Sequence, residues 1–490
     1  MALSDFTYAT ATELLAGMAK RQVSSVELTQ TAIARIERYD PKLNAVCVRD
    51  FERALMAARD ADEARARGET RPLLGIPMTI KESFNIAGLP TTWGIPPFKD
   101  FKAKEDALAV TRVKSAGAVV LGKTNVPLAL GDLQSYNSIY GTTNNPWDLS
   151  RTPGGSSGGS AVALAAGYGA LSIGSDIAGS LRIPAHCCGV YAHKPTFGLL
   201  PGRGHTPPPA PPLPYERDLT VIGPMARSVA DLSLMLDVLA EPDDTTLGMV
   251  YRLALPAARH ESLAEYRVLV IDTHPSIPTS SSVRTAINEL ADGIARSGAK
   301  VARQSPLLPD QTESARLYMR LLMSSLSASF PAEVYDNMRA GVAGIDVADL
   351  SLPAERARGA VMSHRDWLIA DSARAQLRQR WRELFTAFDV VLCPVMPTPA
   401  FPQDQSPDPW RRTITIDGGN YNYGDQLVWS GIATAPGLPS TVLPIGRSEE
   451  GLPIGVQVLG PMYEDRTPLR FAELIEQKFG GFAPPPLDAM

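Results

Sequence analysis

The stretch 153–184 constrains this chain more than any other, because it is built largely from glycine, serine and alanine. GGSSGG at 154–159 is followed by a short helix of small residues, a strand at 171–175 and a second turn that ends in Ser180. Glycine lets backbone N–H groups approach a ligand closely and adopts torsions that other residues avoid. Two turns that both carry hydroxyl groups, joined by one helix and one strand, predict a reaction centre.

The rest of the chain alternates between strand-like and helix-like segments. Ser24–Glu27 and Ser228–Asp231 each predict a capped helix start. Other helices are predicted at 50–68, 105–116, 161–166, 283–296 and 365–388, and strands at 75–80, 117–121, 267–271, 299–302 and 389–393. Such alternation predicts an α/β fold in which a large mixed β-sheet is covered on both sides by helices.

Two segments interrupt this alternation. Residues 205–214, HTPPPAPPLP, predict an extended, polyproline-like loop, because proline fits neither a helix interior nor a central strand. Residues 394–426 are rich in proline, glycine and aspartate, and they predict a long excursion over the surface. No internal repeat and no interdomain linker is evident, so we expect one large domain.

The composition excludes several classes of function. Hydrophobic residues make up 44% of the 490, charged residues 20%, and the formal net charge is −5, which leaves no basic surface for nucleic acid. No apolar run approaches the roughly 18–20 residues of a membrane-spanning helix, and residues 1–20 lack the pattern of a secretory signal. We therefore expect a cytoplasmic monomer or homodimer that acts on a small molecule, with no nucleic-acid or membrane partner.

Cysteine and histidine give little support for a metal or another cofactor. The four cysteines are too few for a disulfide framework, and they are best interpreted as small core residues: Cys47, Cys187, Cys188 and Cys393. The six histidines show no paired spacing, and neither HExxH nor CxxC is present. The sequence predicts no metal site and no cofactor.

A nucleotide-binding loop is one alternative for the glycine-rich turns. Residues 117–124, GAVVLGKT, formally match GxxxxGK[ST]. A phosphate-binding loop needs a flexible turn whose amides wrap the phosphate, whereas 118–121 is apolar and largely β-branched. A buried strand is the better interpretation.

A nucleophile elbow is a second alternative, since 155–159 matches GxSxG with Ser157 at its centre. An elbow joins a strand to a helix, but 150–153, SRTP, is a poor strand. His186 and His193 follow too soon for the usual order of that triad, although the later histidines at 260, 274 and 364 keep the alternative open. Serines in such turns are also, more commonly, cap or turn residues.

Lys81 follows the apolar segment Ile76–Ile80 and precedes Phe84 and Ile86. A lone lysine at a strand end is ordinarily a surface residue. Apolar surroundings would instead desolvate the amine and lower its pKa, so that it could serve as a base. Taken alone, the residues leave the two interpretations evenly matched. In an extended segment the neighbouring Glu82 would point to the opposite face.

Several ordered motifs resemble the amidase-signature family of serine hydrolases, which cleave C–N bonds. The matches lie at GGSSGGS 154–160, GSDIAGSLRIP 174–184, CGVYAHKPTFG 188–198, GIPMTIKES 75–83, GLPTTWG 88–94, AGAVVLGKTNVP 116–127, GLPSTVLPIG 437–446 and GLPIGVQVLG 451–460. The resemblance implies the amidase-signature fold as one domain over 1–490. In it, helices at about 1–70 precede a catalytic core at 75–230, and a variable, substrate-determining region at 240–430 leads back to the core at 430–475.

The resemblance also implies a catalytic triad of Lys81, Ser156 and Ser180. Ser180 would carry the acyl group, while Ser156, in a cis peptide with Gly155, would pass protons to and from a neutral Lys81. The amides of four residues would clamp the oxyanion: Ile177, Ala178, Gly179 and Ser180. The family commonly has two glycines before the nucleophile, so alanine at 178 is a departure. Asp176 and Arg182 would brace the turn, and Ser157 would support it.

The expected reaction is hydrolysis of an amide, with aryl esters and carbamates as further substrates. Trp93, Ile95, Pro96 and Phe98, with the proline loop, suggest an apolar entrance and a neutral, hydrophobic substrate. The stretch 193–209 weakly resembles members that cleave nylon-type oligomers and aryl carbamates. The alternative is the glutaminase-like subunit of a transfer-RNA-dependent amidotransferase, which works with a partner protein. A non-catalytic scaffold would not need all three triad residues.

Overall fold

The computed structural model describes residues 6–489, and its elements follow the predicted alternation of strands and helices. The helices are α1 Ala11–Ala19, α2 Ser25–Leu43, α3 Phe51–Ala66, α4 Leu108–Ser115, α5 Gly158–Ala165, α6 Arg182–Cys188, α7 Val229–Leu239, α8 Ser281–Arg296, α9 Gln311–Ser327, α10 Ala332–Val342, α11 Leu352–Ala360, α12 His364–Ala387, α13 Leu427–Thr434 and α14 Arg466–Phe479.

The strands are β1 Val46–Arg49, β2 Pro77–Lys81, β3 Val119–Thr124, β4 Tyr136–Asn137, β5 Gly141–Thr142, β6 Leu171–Asp176, β7 Tyr191–Lys194, β8 Val221–Ala226, β9 Arg267–Val270, β10 Lys300–Ala302, β11 Val390–Pro394, β12 Thr413–Ile416, β13 Gly419–Asn422, β14 Ser440–Arg447 and β15 Pro453–Leu459. Eleven of them form one sheet in the order β1-β3-β2-β6-β8-β7-β14-β15-β11-β9-β10.

The sheet is mixed, as predicted. Strand β2 runs parallel to both β3 and β6, and β9 runs parallel to β10 and β11, while β7, β8, β14 and β15 join their neighbours antiparallel. Because β2 and β6 are parallel neighbours, their carboxyl ends meet at one edge of the sheet. That edge brings Lys81, the last residue of β2, close to the last residues of β6.

Helices cover both faces of the sheet. Along β11, Val391 and Cys393 pack into one apolar cluster with α2, α5, α9 and α12, whereas Val390 and Leu392 pack into another with α1, α7, α8 and α14. Alternate residues of a strand point to opposite faces, so the two clusters are the two sides of the sheet. In residues 6–489, no helix combines the length and apolar character needed to span a bilayer.

Two local predictions are corrected. Residues 205–214 do not form a uniformly extended segment, because the chain turns where the Ala210 amide donates to Pro207 O at 3.0 Å. Residues 394–426 do not form a surface excursion throughout. Their first part is buried, including Val395 and Met396, and the hairpin β12–β13 that follows buries Ile414 and Ile416.

Candidate active site

Lys81 is completely buried, at 0% exposure. The apolar strand that carries it removes its amine from water, and this burial lowers the pKa of Lys81 to about 7, although the nearby charge of Asp176 acts in the opposite direction. A substantial fraction of this amine is therefore neutral at physiological pH.

The amine of Lys81 contacts two hydroxyl groups. Its Nζ donates to Ser156 Oγ at 2.7 Å and to Ser175 Oγ at 3.0 Å. The sequence motifs pointed to Ser156 but missed Ser175. The signal that could have revealed Ser175 is its position in β6, since Ile80 of β2 pairs with Ile173 and the next residues of both strands converge.

Glu82 does not face the Lys81 amine, in agreement with the prediction from strand alternation. Its carboxylate accepts hydrogen bonds from the amides of Thr92 and Trp93, at 2.5 and 2.9 Å, and from Tyr140 Oη at 3.1 Å. The negative charge next in sequence is thus occupied elsewhere and does not raise the pKa of the lysine.

The backbone of the 154–159 turn lies so close to neighbouring segments that there is no room for a side chain at its glycine positions. A Cβ on Gly155 would lie 2.5 Å from Gln134 O. The Gly155–Ser156 peptide bond is cis, as the resemblance implied. Within residues 6–489, Ser157 makes no hydrogen bond to Lys81. Its amide donates to Ser180 O at 3.1 Å, and this bond ties the two hydroxyl-bearing turns together.

Ser180 lies in the turn between β6 and α6. Gly179 has a φ of +95°, whereas Ala178 is outside the left-handed region. The departure from two glycines therefore brings no backbone strain at Ala178, because the position that needs glycine has it.

The amides of this turn fall into two groups. Those of Gly179 and Leu181 donate to the Asp176 carboxylate at 2.9 and 3.1 Å. Those of Ile177, Ala178 and Ser180 donate to no other group in the part of the chain that the structure describes. Of the four amides in the predicted clamp, that of Gly179 has an acceptor within residues 6–489 and the other three do not.

Asp176 and Arg182 brace the turn from below. Both side chains are buried, and Arg182 Nη2 lies 2.9 Å from Asp176 Oδ1. Burial alone would raise the pKa of the Asp176 carboxyl, but the charge and hydrogen bonds of Arg182 lower it to about 2. Arg182 also donates to Ser430 O, Gln457 Oε1 and Thr434 Oγ1.

An apolar cleft opens beside Ser180. Its cavity volume is about 50 Å³, and these residues line it: Leu130, Gly131, Asp132, Leu133, Ile177, Ala178, Ser180, Leu322, Leu326, Pro409, Tyr423, Gly424 and Leu427. Neither segment of the predicted entrance, 93–98 or 205–214, lines this cleft, so that entrance stays a prediction. Sequence could not reveal the true lining, since its parts lie far apart along the chain.

The one carboxylate in the cleft wall, Asp132, is neutralised. Arg412 Nη1 donates to its Oδ2 at 2.6 Å, and Tyr423 Oη donates to its Oδ1 at 2.7 Å. The wall beside Ser180 therefore presents apolar surface and a compensated charge.

The hydroxyl groups of Ser156 and Ser180 are not hydrogen-bonded to each other within residues 6–489. Within residues 6–489, Ser180 Oγ has no hydrogen-bond partner, and no hydrogen bond connects it to Ser156 Oγ. Catalytic hydrogen bonds are often long in a ligand-free enzyme and tighten in the substrate complex. In this arrangement the buried amine of Lys81, with its lowered pKa, is hydrogen-bonded to the Ser156 hydroxyl, and the Ser180 hydroxyl faces the cleft.

The two alternative motifs do not form the sites they suggest. Residues 119–124 are strand β3, and the buried amine of Lys123 donates a hydrogen bond to Thr91 Oγ1 at 2.8 Å. In the described chain, no histidine bonds to the candidate serines: His186 contacts Gly455 and Thr398, His193 contacts Thr441 and Asp465, and His205 contacts Ser83. Among the same residues, no group of three His, Cys, Asp or Glu is placed to hold a metal ion.

The chain is similar to known proteins over most of its length. A family model described as Amidase matches residues 27–469. The chain is 33% identical to a glutamyl-tRNA(Gln) amidotransferase subunit of Chromohalobacter salexigens, with 96% of each chain covered. It is 32% identical to the indoleacetamide hydrolase of Bradyrhizobium diazoefficiens, covering 96% of this chain and 87% of that one.

Among solved structures, the fold is similar to a protein from a vestigial complex related to the origins of an s-triazine catabolic enzyme. The TM-score is 0.80 at 28% identity, with 96% of this chain and 99% of that chain covered. The similarity extends over almost the whole chain.

Proposed function

Because the chain belongs to the Amidase family, we propose that it hydrolyses the C–N bond of an amide through an acyl-enzyme on Ser180. The observation that carries this proposal is the buried amine of Lys81, whose pKa is lowered to about 7, held 2.7 Å from the Ser156 hydroxyl. A serine hydroxyl is a weak nucleophile without a base, and a neutral amine is a suitable one.

Each proton in the proposed mechanism has a carrier. Ser180 Oγ attacks the amide carbon as its proton passes to Ser156 and the Ser156 proton passes to Lys81. The C–N bond then breaks, and the same route returns a proton to the departing nitrogen. Water attacks the acyl-enzyme with Lys81 as base through Ser156, which releases the acid and restores the Ser180 hydroxyl.

The oxyanion of the tetrahedral intermediate would be held by backbone amides. Those of Ile177, Ala178 and Ser180 have no other acceptor in the described chain, which supports their role. The Gly179 amide supports the clamp indirectly, by fixing the turn on Asp176.

The acyl half of the substrate is proposed to be neutral and hydrophobic. Leu130, Leu322 and Leu427 line the cleft beside Ser180, and its carboxylate, Asp132, is neutralised. An aryl or arylalkyl amide fits such walls, and an aryl ester or carbamate would meet the same groups. The name of the indoleacetamide hydrolase describes an arylalkyl amide of this kind.

A role as one component of an amidotransferase is the second candidate, favoured by the 33% identity to such proteins over 96% of the chain. In that case the chain would release ammonia from glutamine and would need a partner protein. The apolar cleft beside Ser180 favours the first candidate, because a glutamine substrate brings two charged groups.

Turnover by the purified chain alone distinguishes these functions. We expect it to hydrolyse phenylacetamide and phenylacetanilide faster than glutamine or asparagine, and to be labelled by a fluorophosphonate at Ser180. Ser180→Ala should lose labelling and turnover, and Ser157→Ala should keep the labelling. Faster turnover of glutamine, or labelling that depends on Ser157, would contradict the proposal.

A further inference from the structure

Arg217 is a partly buried cation without an anionic partner. In residues 6–489 its guanidinium makes no ion pair and no hydrogen bond, and it lies 5.8 Å from the centre of the Trp93 ring. Burial lowers the pKa of Arg217. A desolvated charge is costly unless a group of opposite charge meets it, so the position is prepared for an anion.

A second unpartnered group lies in the same pocket. Arg217 and Thr206 both line a small cavity that is separate from the Ser180 cleft. Thr206 is 5% exposed, and its Oγ1 is buried without a hydrogen-bond partner. A hydroxyl donor and a guanidinium without partners form a donor pair for a carboxylate.

Glu216, the carboxylate nearest in sequence, does not neutralise Arg217. The two side chains form no ion pair, although both line the cavity. Burial and the charge of Asp243 raise the pKa of Glu216. Its carboxylate accepts a hydrogen bond from the Gly202 amide and is repelled by the like charge of Asp243, and neither interaction involves the guanidinium.

The cavity lies one aromatic layer from Lys81. His205, which also lines it, packs against Trp93 in a tilted arrangement with ring centres 5.0 Å apart, and its Nε2 contacts Ser83 Oγ at 3.0 Å. Ser83 is two residues beyond Lys81. From the opposite side, Val221 of the cavity wall pairs with Asp176 at the end of β6.

The two compartments receive different halves of an amide. Ser180 faces the apolar cleft, so the acyl group bonded to it occupies that side. Lys81 and Ser156 must lie beside the departing nitrogen in order to protonate it. In that arrangement the amine half would extend from Lys81 towards Ser83 and its neighbour His205, which lines the cavity of Arg217.

We propose that the cavity of Arg217 and Thr206 binds a carboxylate on the amine half of the substrate. The preferred substrates would be N-acyl derivatives of an amine that carries a carboxylate beyond a spacer such as an aromatic ring. This inference rests on the proposed function, because the direction of the amine half follows from the roles of Ser180 and Lys81.

The test compares 4-(phenylacetylamino)benzoate with phenylacetanilide, which differ only in the carboxylate. A charge-assisted contact should favour the acid by about tenfold or more in kcat/KM, chiefly through KM. Arg217→Met should abolish this preference and leave hydrolysis of the neutral anilide unchanged. Glu216→Gln is the matched control and should retain the preference. Equal turnover of the two substrates by the wild type, or an unchanged preference in Arg217→Met, would overturn the inference.

Binding to Ser180→Ala separates the inference from the proposed chemistry. Calorimetry should show tighter binding of the acid than of the anilide, and the Ser180→Ala, Arg217→Met double variant should lose the difference. If wild-type turnover is absent but this difference persists, the proposed function fails and the anion site stands. Inhibition by inorganic phosphate equal to that by 4-aminobenzoate would assign the cavity to a free anion and overturn the inference.

Discussion

Among single residues, the amine of Lys81 determines the pH dependence of the proposed reaction. Burial lowers its pKa to about 7, and only the neutral amine can accept a proton. Activity should therefore be low well below pH 7, rise through about pH 7 and then level off. A pH profile of kcat/KM on a neutral amide measures this rise, which we call the acidic limb. An apparent pKa near the ordinary lysine value of about 10.4 would contradict the prediction.

Variants identify which lysine produces the limb, since burial also lowers the pKa of Lys194 to about 7. Lys81→Arg should lose about 10²–10⁴-fold in kcat, because a guanidinium does not release its proton in this range. Lys194→Met is the matched control: its amine donates to Pro195 O and, among residues 6–489, to no serine, so the rise in activity near pH 7 should remain.

The pair Ala178–Gly179 gives a second test at this scale. A Cβ on Gly179 would lie 2.2 Å from Ser430 Oγ and 2.8 Å from Ile183 Cδ1, at a φ of +95°. Gly179→Ala should lower the free energy of unfolding by at least about 1–2 kcal/mol, the cost of the left-handed torsion, and slow labelling of Ser180. Ala178→Gly should retain labelling. Urea denaturation and labelling rates check both, and normal labelling of Gly179→Ala would contradict the account.

Among the elements, the turn between β6 and α6 depends on a buried ion pair. Arg182 holds Asp176 and three groups from the C-terminal part of the chain. Arg182→Met leaves the carboxylate buried and unpaired, so the free energy of unfolding should fall by about 3–5 kcal/mol. Arg470→Met removes a partly exposed arginine and should cost far less. Urea denaturation measures both, and equal effects would refute the special role of the buried pair.

The same pair sets an acid limit on stability. The pKa of Asp176 in the folded protein is lowered to about 2, whereas an unfolded aspartate titrates near 3.9. Its contribution is therefore fully present above about pH 4 and is lost as the pH falls towards 2.

Local sequence signals predicted most elements, because the information they need is local. Ser24 and Glu27 form the expected capping box at α2, and the apolar run before Lys81 is a buried strand. The two glycine-rich turns lie together, tied by Ser157 and Ser180.

Long-range contacts account for what sequence missed. Ser228 caps α7 as predicted, but the carboxylate of Asp231 instead accepts the amides of Ala11 and Thr12, about 220 residues away in the chain. Sequence analysis also missed the cleft lining and Arg217, because each depends on which distant segments of the chain meet. Local propensity carries no information about such partners.

For the whole molecule, the sheet order argues that the proposed single domain, 1–490, is one catalytic unit. Strand β14, near the C-terminus, pairs with β7 through Ser440↔Lys194, Thr441↔His193 and Val442↔Ala192. The proposed catalytic residues all lie before residue 240, whereas Leu322 and Leu427 of the cleft lie after it. A cytoplasmic location and a monomeric or dimeric state stay predictions of the sequence.

A single cut in the chain tests this unity. Leu247, Met249 and Val250 are 60–75% exposed, in a loop between α7 and β9. A protease site inserted there should give two fragments that stay associated, because the β7–β14 pairing and the Arg182 network cross the cut. The nicked protein should keep its labelling at Ser180 and unfold in one transition by far-UV and near-UV circular dichroism. The separated N-terminal fragment should not be labelled, although it contains Lys81, Ser156 and Ser180, since Arg182 would lack its C-terminal acceptors. Labelling of that fragment would show that the N-terminal half forms the active site on its own.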